Sequence, residues 1–334
     1  MIYVLCPGNF KSGGPELLHQ LVFQINSLKE HGAKIAYFDY QDEKKPYDSE
    51  LIKYVKNNWV LEKDIVDNHD NIIVIPEMNV EKIKNYNASK KYIWWMSVNN
   101  YKYTNSFKDM YQTKGLIHAV SWSLKGKGYS KNHLVKKADL NLCQSYYAEK
   151  YLIKTLKINK NKICYLSDYI NDEYLRNYQK SLKHSKKNII LYNPKKGLSF
   201  TRKLIRRSED LKWVPLINMT NKEMHQALES AKVYVDFGQH PGKDRLPREA
   251  AINGCCIITD REGSAAFQRD VSIPITYKVS RDSKSIAKIL NKINDCLRNY
   301  DERINDFFDY RRHILKEKSE FTEDVRSIFI DEKW

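Results

Sequence analysis

Apolar positions along this chain fall into two alternating patterns. The first is a set of short unbroken runs: "MIYVLC" at the start, then "KIAYFDY", "NIIVIPEM", "KYIWWMSV" and "ADLNLCQS". Runs of this length with no polar alternation predict strands buried on both faces of a sheet. The second is a helical stripe. Leu17, Leu18, Leu21, Val22, Ile25 and Leu28 predict a helix over 16–31, with Gly32 placed to end it. Another helix is predicted from Tyr146 to Leu156. The plan then restarts: "NIILYNP" reads as a strand, "TRKLIRRS" as a helix and "LKWVPLINM" as a strand. Thr220 and Glu223 have capping-box spacing before a helix to Ser230. "KVYVDF" and "CCIIT" are two further strands, and the tail from Asp282 reads as helical.

Strand–helix alternation of this kind predicts an α/β fold of parallel sheets covered by helices. Two such cycles predict two Rossmann-like, doubly wound domains facing a cleft. The first domain is expected over residues 1–168 and the second over 188–315. A hinge is expected at 169–187, where the pattern loosens and turns basic. Residues 316–334 read as a terminal helix that packs back on the first domain.

Composition narrows the partners. The chain has 334 residues, 42% of them hydrophobic, enough for two cores. Lys and Arg number 57 against 41 Asp and Glu, a formal charge of +16. So basic a chain favours a polyanion: phosphorylated ligand, anionic lipid or nucleic acid. An overall bias toward Lys and Asn is the plain rival. The six cysteines show no C-x-x-C pair and no zinc spacing, which suits a reducing cytosol. No run reaches the length of a membrane span, and the start lacks a signal-peptide pattern.

Three loops that follow predicted strands have unusual composition. In "GNFKSGGPELLHQL", Gly13 and Gly14 permit close backbone approach at a helix N-terminus that favours an anion. Glu16 and His19 share a face of its first turns, where either can touch a substrate hydroxyl; a favourable charge at the helix end and a solvated imidazole are the rival reading. In "YNPKKGLSFTRKLIRR", Lys195 and Lys196 precede a bend at Gly197, a suitable place for a diphosphate, or simply a solvated basic turn. The third loop, "YVDFGQHPGKDRLPREAAINGCCIIT", crowds His240, Lys243, Asp244 and Arg245 between a strand and a helix. Pro247 is expected at the first helical position, with Arg248 and Glu249 in the first turn. Lys243 and Arg245 suit a diphosphate, and the acceptor-only Glu249 carboxylate suits paired sugar hydroxyls. Gly263 and Ser264 in "DREGSAAF" give one more point of backbone approach. The glycine fingerprint of dinucleotide folds and the P-loop spacing are both missing.

"GKDRLPREAAINGCCIIT" resembles the donor-binding segment of GT-B glycosyltransferases. The combination "GGPELLHQL … IWWMSVNN … CQSYYAEKYL … DFGQHPGKDRLPREAA" is more specifically similar to bacterial glycosyltransferases of surface-polysaccharide (capsule and O-antigen) clusters. The resemblance covers most of the chain. It implies an acceptor-side first domain, a donor-binding second domain, and transfer of a sugar from a nucleotide-sugar donor to a glycan or lipid-linked acceptor. Retaining members often carry two acids separated by seven residues. Counting back from Glu249 reaches Pro241, so here that pair is broken, with Asp244 as a partial substitute.

No D-x-D tripeptide occurs, so no metal and no cofactor are expected; lysines, arginines and helix N-termini would neutralise the leaving group. The general base is expected from Glu16, His19, Glu77 or His118, with Glu16 favoured. Trp94, Trp95, Tyr101, Tyr103 and Trp122 are candidates to stack on acceptor sugars, although such residues are more often core. The expected location is the cytoplasm, with peripheral contact at the inner face of the plasma membrane. The rival functions are a nucleotide-sugar epimerase on the same fold, a basic nucleic-acid-binding protein, and a dehydrogenase using Asp39 for ribose. Spread-out lysines weaken the second and the missing glycine fingerprint weakens the third.

Overall fold

The computed structural model describes residues 1–9, 12–40, 46, 49–105, 107–124, 130–331 and 333–334. Its contacts divide into two compact units: Met1–Asp168 with Ser319–Trp334, and Tyr169–Lys318.

The first unit is built on seven parallel strands. They are β1 (Ile2–Pro7), β2 (Ala33–Phe38), β3 (Trp59–Leu61), β4 (Ile72–Pro76), β5 (Lys90–Trp95), β6 (Leu140–Cys143) and β7 (Ile163–Tyr165). Their order across the sheet is β3-β2-β1-β4-β5-β6-β7. β1 and β4 are apolar throughout, as strands of a buried parallel sheet are, and β6 is fully buried with one polar residue, Asn141, which accepts from the Trp95 ring nitrogen at 2.9 Å. The first helix, Gly13–Leu28, sets its stripe of Leu17, Leu18, Leu21, Val22 and Ile25 in the core. Each such aliphatic side chain contributes about 1.5–3 kcal/mol by leaving water. This helix starts earlier than the 16–31 expected, because Gly13 and Gly14 form its first turn rather than a loop.

The second unit has four parallel strands: β8 (Lys187–Tyr192), β9 (Lys212–Pro215), β10 (Ala231–Asp236) and β11 (Cys256–Thr259), ordered β11-β10-β8-β9. The Asn221–Ser230 helix between β9 and β10 carries the predicted capping box: Thr220 and Glu223 exchange side-chain and backbone hydrogen bonds. The segment read as a hinge, 169–187, holds a regular helix, Asp172–Lys183, whose first turn is capped by Asn171. It lies within the second unit. The basic, loose sequence pattern there coincides with this largely exposed helix.

The long helix Phe308–Phe329 supplies residues to both units. In the first unit its Asp324 accepts hydrogen bonds from the Ser167 amide (2.9 Å) and hydroxyl (2.6 Å), and Phe329 lies 6.1 Å from the Tyr92 ring. All six cysteines are buried thiols. No helix among the described residues is long and apolar enough to cross a membrane.

Candidate functional site

In an open parallel sheet, the strand order reverses at one place, and the loops leaving the carboxyl ends of the two strands there diverge to leave a crevice. In the second unit that place lies between β8 and β10. The loop after β8 carries Lys195, Lys196 and Gly197. The loop after β10 carries His240, Lys243 and Asp244. The sequence motifs therefore stand on either side of one switch point.

The two loops touch through backbone. Gly197 has φ +59°, and a Cβ there would overlap the Phe237 carbonyl. Gly263, with φ +56°, is pressed as closely on the His240 carbonyl. Only glycine meets both demands, left-handed backbone and no side chain. Ser264 fastens the same contact: its amide donates to His240 O (2.9 Å) and its hydroxyl to Gly242 O (2.6 Å). Three loops, after β8, β10 and β11, are thus locked into one rim.

Inside the rim lies a charged cluster. His240 is fully buried. Its Nδ1 is 2.9 Å from Asp244, and its Nε2 is 3.6 Å from Asp260 and 3.9 Å from Asp236. Lys196 reaches Asp244 at 2.8 Å, and Arg281 reaches Asp260 at 3.0 Å. Burial alone would lower the His240 pKa, but Asp244, Asp236 and Asp260 together raise it. The Asp244 carboxyl is pushed up by burial, but His240 and Lys196 outweigh that and lower it. Burial drives Asp260 up to about 7 against the pull of His240 and Arg281. With His240 protonated, it, Lys196 and Arg281 face Asp236, Asp244 and Asp260, and Arg281 also pairs with Glu262 at the edge of the cluster. Asp236, His240 and Asp244 also lie close enough together to ligate a metal ion.

The helix after this loop is Arg245–Ile252, with Asp244 as its N-cap residue. It begins two residues before the Pro247 start expected from sequence. Proline is tolerated at the third position because first-turn amides have no intrahelical partner. Asp244 makes no side-chain cap bond, since its carboxylate is held by His240 and Lys196. Glu249 consequently sits in the second turn, 8% exposed, with Arg245 Nε 3.6 Å from its carboxylate.

Two expected donor contacts are oriented otherwise. Lys243 and Arg248 are buried and converge on the buried Glu317, at 3.0 and 2.7 Å. Arg248 also donates to the carbonyls of Lys243 and Asp244. Their charges brace the loop from within. Lys195 remains exposed at the β8 loop.

In the first unit the switch point falls between β1 and β4. Gly13 and Gly14 open the helix after β1, and Glu16 lies in its first turn, 3.5 Å from the Tyr54 hydroxyl. Phe10 and Lys11 of that loop lie outside the described residues. Glu77 follows β4 directly and is 2% exposed. It accepts from the Met96 amide (3.2 Å), and burial raises its pKa to about 8 despite that bond. His19 is buried instead of solvated or reaching a ligand: Nδ1 meets the Pro15 carbonyl and Nε2 the Tyr37 hydroxyl, each at 2.6 Å. A carbonyl only accepts, so Nδ1 carries the proton and Nε2 accepts from Tyr37. Burial lowers its pKa to about 4. Trp94, Trp95 and Tyr101 are fully buried core residues rather than sugar platforms.

Asp236, Asp260, Arg281 and Glu317 were not singled out from sequence. The first two had a signal: an acid closes an apolar strand in "YVD" and in "IITD". The other two come from distant positions and had none.

No protein-family model matches the chain, and no curated protein matches it. Solved structures do. HepE from Anabaena, in complex with UDP and glucose, superposes with a TM-score of 0.61 at 9% identity over 98% of each chain. Sucrose-phosphate synthase from Thermosynechococcus elongatus gives 0.59 at 11% identity, over 98% of this chain and 99% of that one. A TarM mutant from S. aureus, in complex with fondaparinux, alpha-GlcNAc-glycerol and UDP, gives 0.57 at 15% identity; the match covers 80% of this chain but only 57% of TarM. At these identities the likeness concerns the backbone, and it bears out the expected fold class: the chain has the GT-B glycosyltransferase fold, with a Rossmann-like sheet in each unit.

Proposed function

We propose that this protein is a nucleotide-sugar-dependent glycosyltransferase that works without a metal ion. It transfers a sugar to a glycan or lipid-linked acceptor in bacterial surface-polysaccharide synthesis, in the cytoplasm at the inner face of the membrane. The observation that carries the reading is the rim at the β8/β10 switch point, where the Lys195–Gly197, His240–Arg245 and Gly263–Ser264 segments are fastened together beside Glu249. Several of the neighbouring structures hold UDP, UDP-glucose or ADP, which supports a nucleotide-sugar donor. The polysaccharide context rests on the resemblance of the quoted motifs.

In this reading Lys195 and Arg245 hold the donor diphosphate, with the amides near Gly197 and Gly263. Glu249 accepts hydrogen bonds from sugar or ribose hydroxyls, being an acceptor only. Lys196, His240 and Asp244 keep the rim in place beneath them. Fixed cations then stabilise the charge that develops on the leaving diphosphate. Metal independence is supported by the charge balance of the cluster. The only group of described residues placed to ligate a metal, Asp236, His240 and Asp244, holds two carboxylates that Lys196 and its own imidazolium already balance. Glu16 is the proposed base toward the acceptor hydroxyl.

The test is a thermal-shift panel of nucleoside diphosphates and nucleotide sugars, with and without EDTA. Selective binding raises the melting temperature by mass action. At least one nucleotide sugar is expected to shift it, equally with chelator. A shift given by NAD or duplex DNA and by no nucleotide sugar would overturn the reading; a shift abolished by EDTA would overturn metal independence.

A further inference from the structure

One surface of the first unit is built unlike the rest. Two short helices, Phe107–Lys114 and Leu116–Trp122, follow each other across Gly115, which has φ +84°. The second helix buries only Ala119. Leu116 is 58% exposed, Ile117 84%, Val120 42% and Leu124, just beyond its end, 83%. Leu116, Ile117, Val120 and Leu124 line one shallow concavity with Ser121. Phe107 and Tyr111, on the preceding helix, add exposed aromatic rings. Among the described residues, the other exposed large apolar side chains, such as Val66, Ile217 and Ile275, are far apart in sequence and need no explanation; a contiguous set does.

The charge of the same stretch is one-sided. Between Val98 and Lys137 the sequence has Lys102, Lys108, Lys114, Lys125, Lys127, Lys131, Lys136 and Lys137, against the single acid Asp109. Among the described side chains, Lys108, Lys136 and Lys137 are exposed, and so are His118 and His133. An apolar helix face set in a strongly basic stretch is the composition that lies in the headgroup layer of anionic lipid: aliphatic side chains enter the acyl boundary and lysines meet the lipid phosphates. A second copy of this chain is a poorer occupant, because pairing like faces would bring two lysine-rich stretches together.

We infer that the face formed by Leu116, Ile117, Val120 and Leu124 is the docking surface for an anionic bilayer. This deepens the proposed transfer to a lipid-linked acceptor and rests on it only for its purpose, not for its binding. The probe is co-sedimentation of the full chain with vesicles of phosphatidylcholine alone or containing about one-third phosphatidylglycerol, at low and high salt. The wild-type chain is expected to sediment with the anionic vesicles only, and less at high salt. The double variant Ile117→Asp/Leu124→Asp should lose at least tenfold in partitioning while keeping its melting temperature, since both side chains are exposed. Unchanged partitioning of the variant, or no sedimentation of the wild type, overturns the inference. So does concentration-dependent self-association that the double substitution abolishes, which would assign the face to a second copy. Donor thermal shift measured on the same samples reports separately on the transferase reading, so the two can fail independently.

Discussion

Glu77 shows how a single residue is set by its surroundings. The sequence offers an acid at the end of an apolar run, and the fold makes it a buried carboxyl whose pKa is raised to about 8, chiefly by loss of solvent. The linkage follows directly. Between about pH 4.5 and 8 the unfolded chain has released this proton and the folded chain retains it, so stability falls as pH rises through that window. Glu77→Gln should therefore gain melting temperature relative to wild type progressively from pH 5 to pH 8, measured by thermal denaturation; a constant difference would contradict the burial. Arg245 is the residue that tests the donor site. Arg245→Ala is expected to cost about 1.5–3 kcal/mol of nucleotide-sugar affinity, the range for hydrogen bonds to charged groups, by calorimetric titration. Unchanged affinity would remove it from the diphosphate. His19 marks the limit of reading residues from sequence. Its spacing from Glu16 placed both on one helix face, but burial and the Tyr37 hydroxyl decide its state, and Tyr37 belongs to a different strand.

At the scale of elements, the loops hold the information. Buried strands and capped helices were legible because their signals are local: unbroken apolar runs, a helical stripe, and Thr220 three residues before Glu223. The start of the Arg245–Ile252 helix was not, because Pro247 permits a start at more than one position and the choice depends on what holds Asp244. Nor could the engagement of Lys243 and Arg248 be read, since Glu317 lies far along the chain. Gly263 was legible as a point of close approach and Gly197 as a bend, although the partner of each was not. Gly263→Ala places a Cβ against the His240 carbonyl at positive φ. It should cost about 1–3 kcal/mol of stability and weaken donor binding with it. Chemical denaturation and donor titration check this together; a variant as stable as wild type would show that the β11 loop is not wedged against the β10 loop.

At the scale of the whole molecule, the two-sheet plan was readable from element order alone, because parallel sheets impose strand–helix alternation on any sequence that forms them. The ownership of the last helix was only half readable. Its return to the first domain was expected, but its amphipathic pattern does not say which side chains meet which strand. In the structure Phe321, Val325, Ile328 and Phe329 are buried within the stretch that belongs to the first unit. Four such side chains contribute about 6–12 kcal/mol at the usual transfer values, as much as a typical domain's net stability. A chain ending at Lys318 should therefore lose the ordered first unit, seen as loss of the near-ultraviolet signal of the buried Trp94 and Trp95. Retention of that signal would show that the seven-stranded sheet closes without the helix.

The same helix has a consequence for how the protein is made. A ribosome emits residues 1–168 before the second unit, yet the pieces that complete their core, Asp324 and Phe329 among them, emerge only after all of Tyr169–Lys318 has been made. The half that is born first must wait, unfinished, while the later half becomes whole, and it is sealed only when the last turns of that helix arrive.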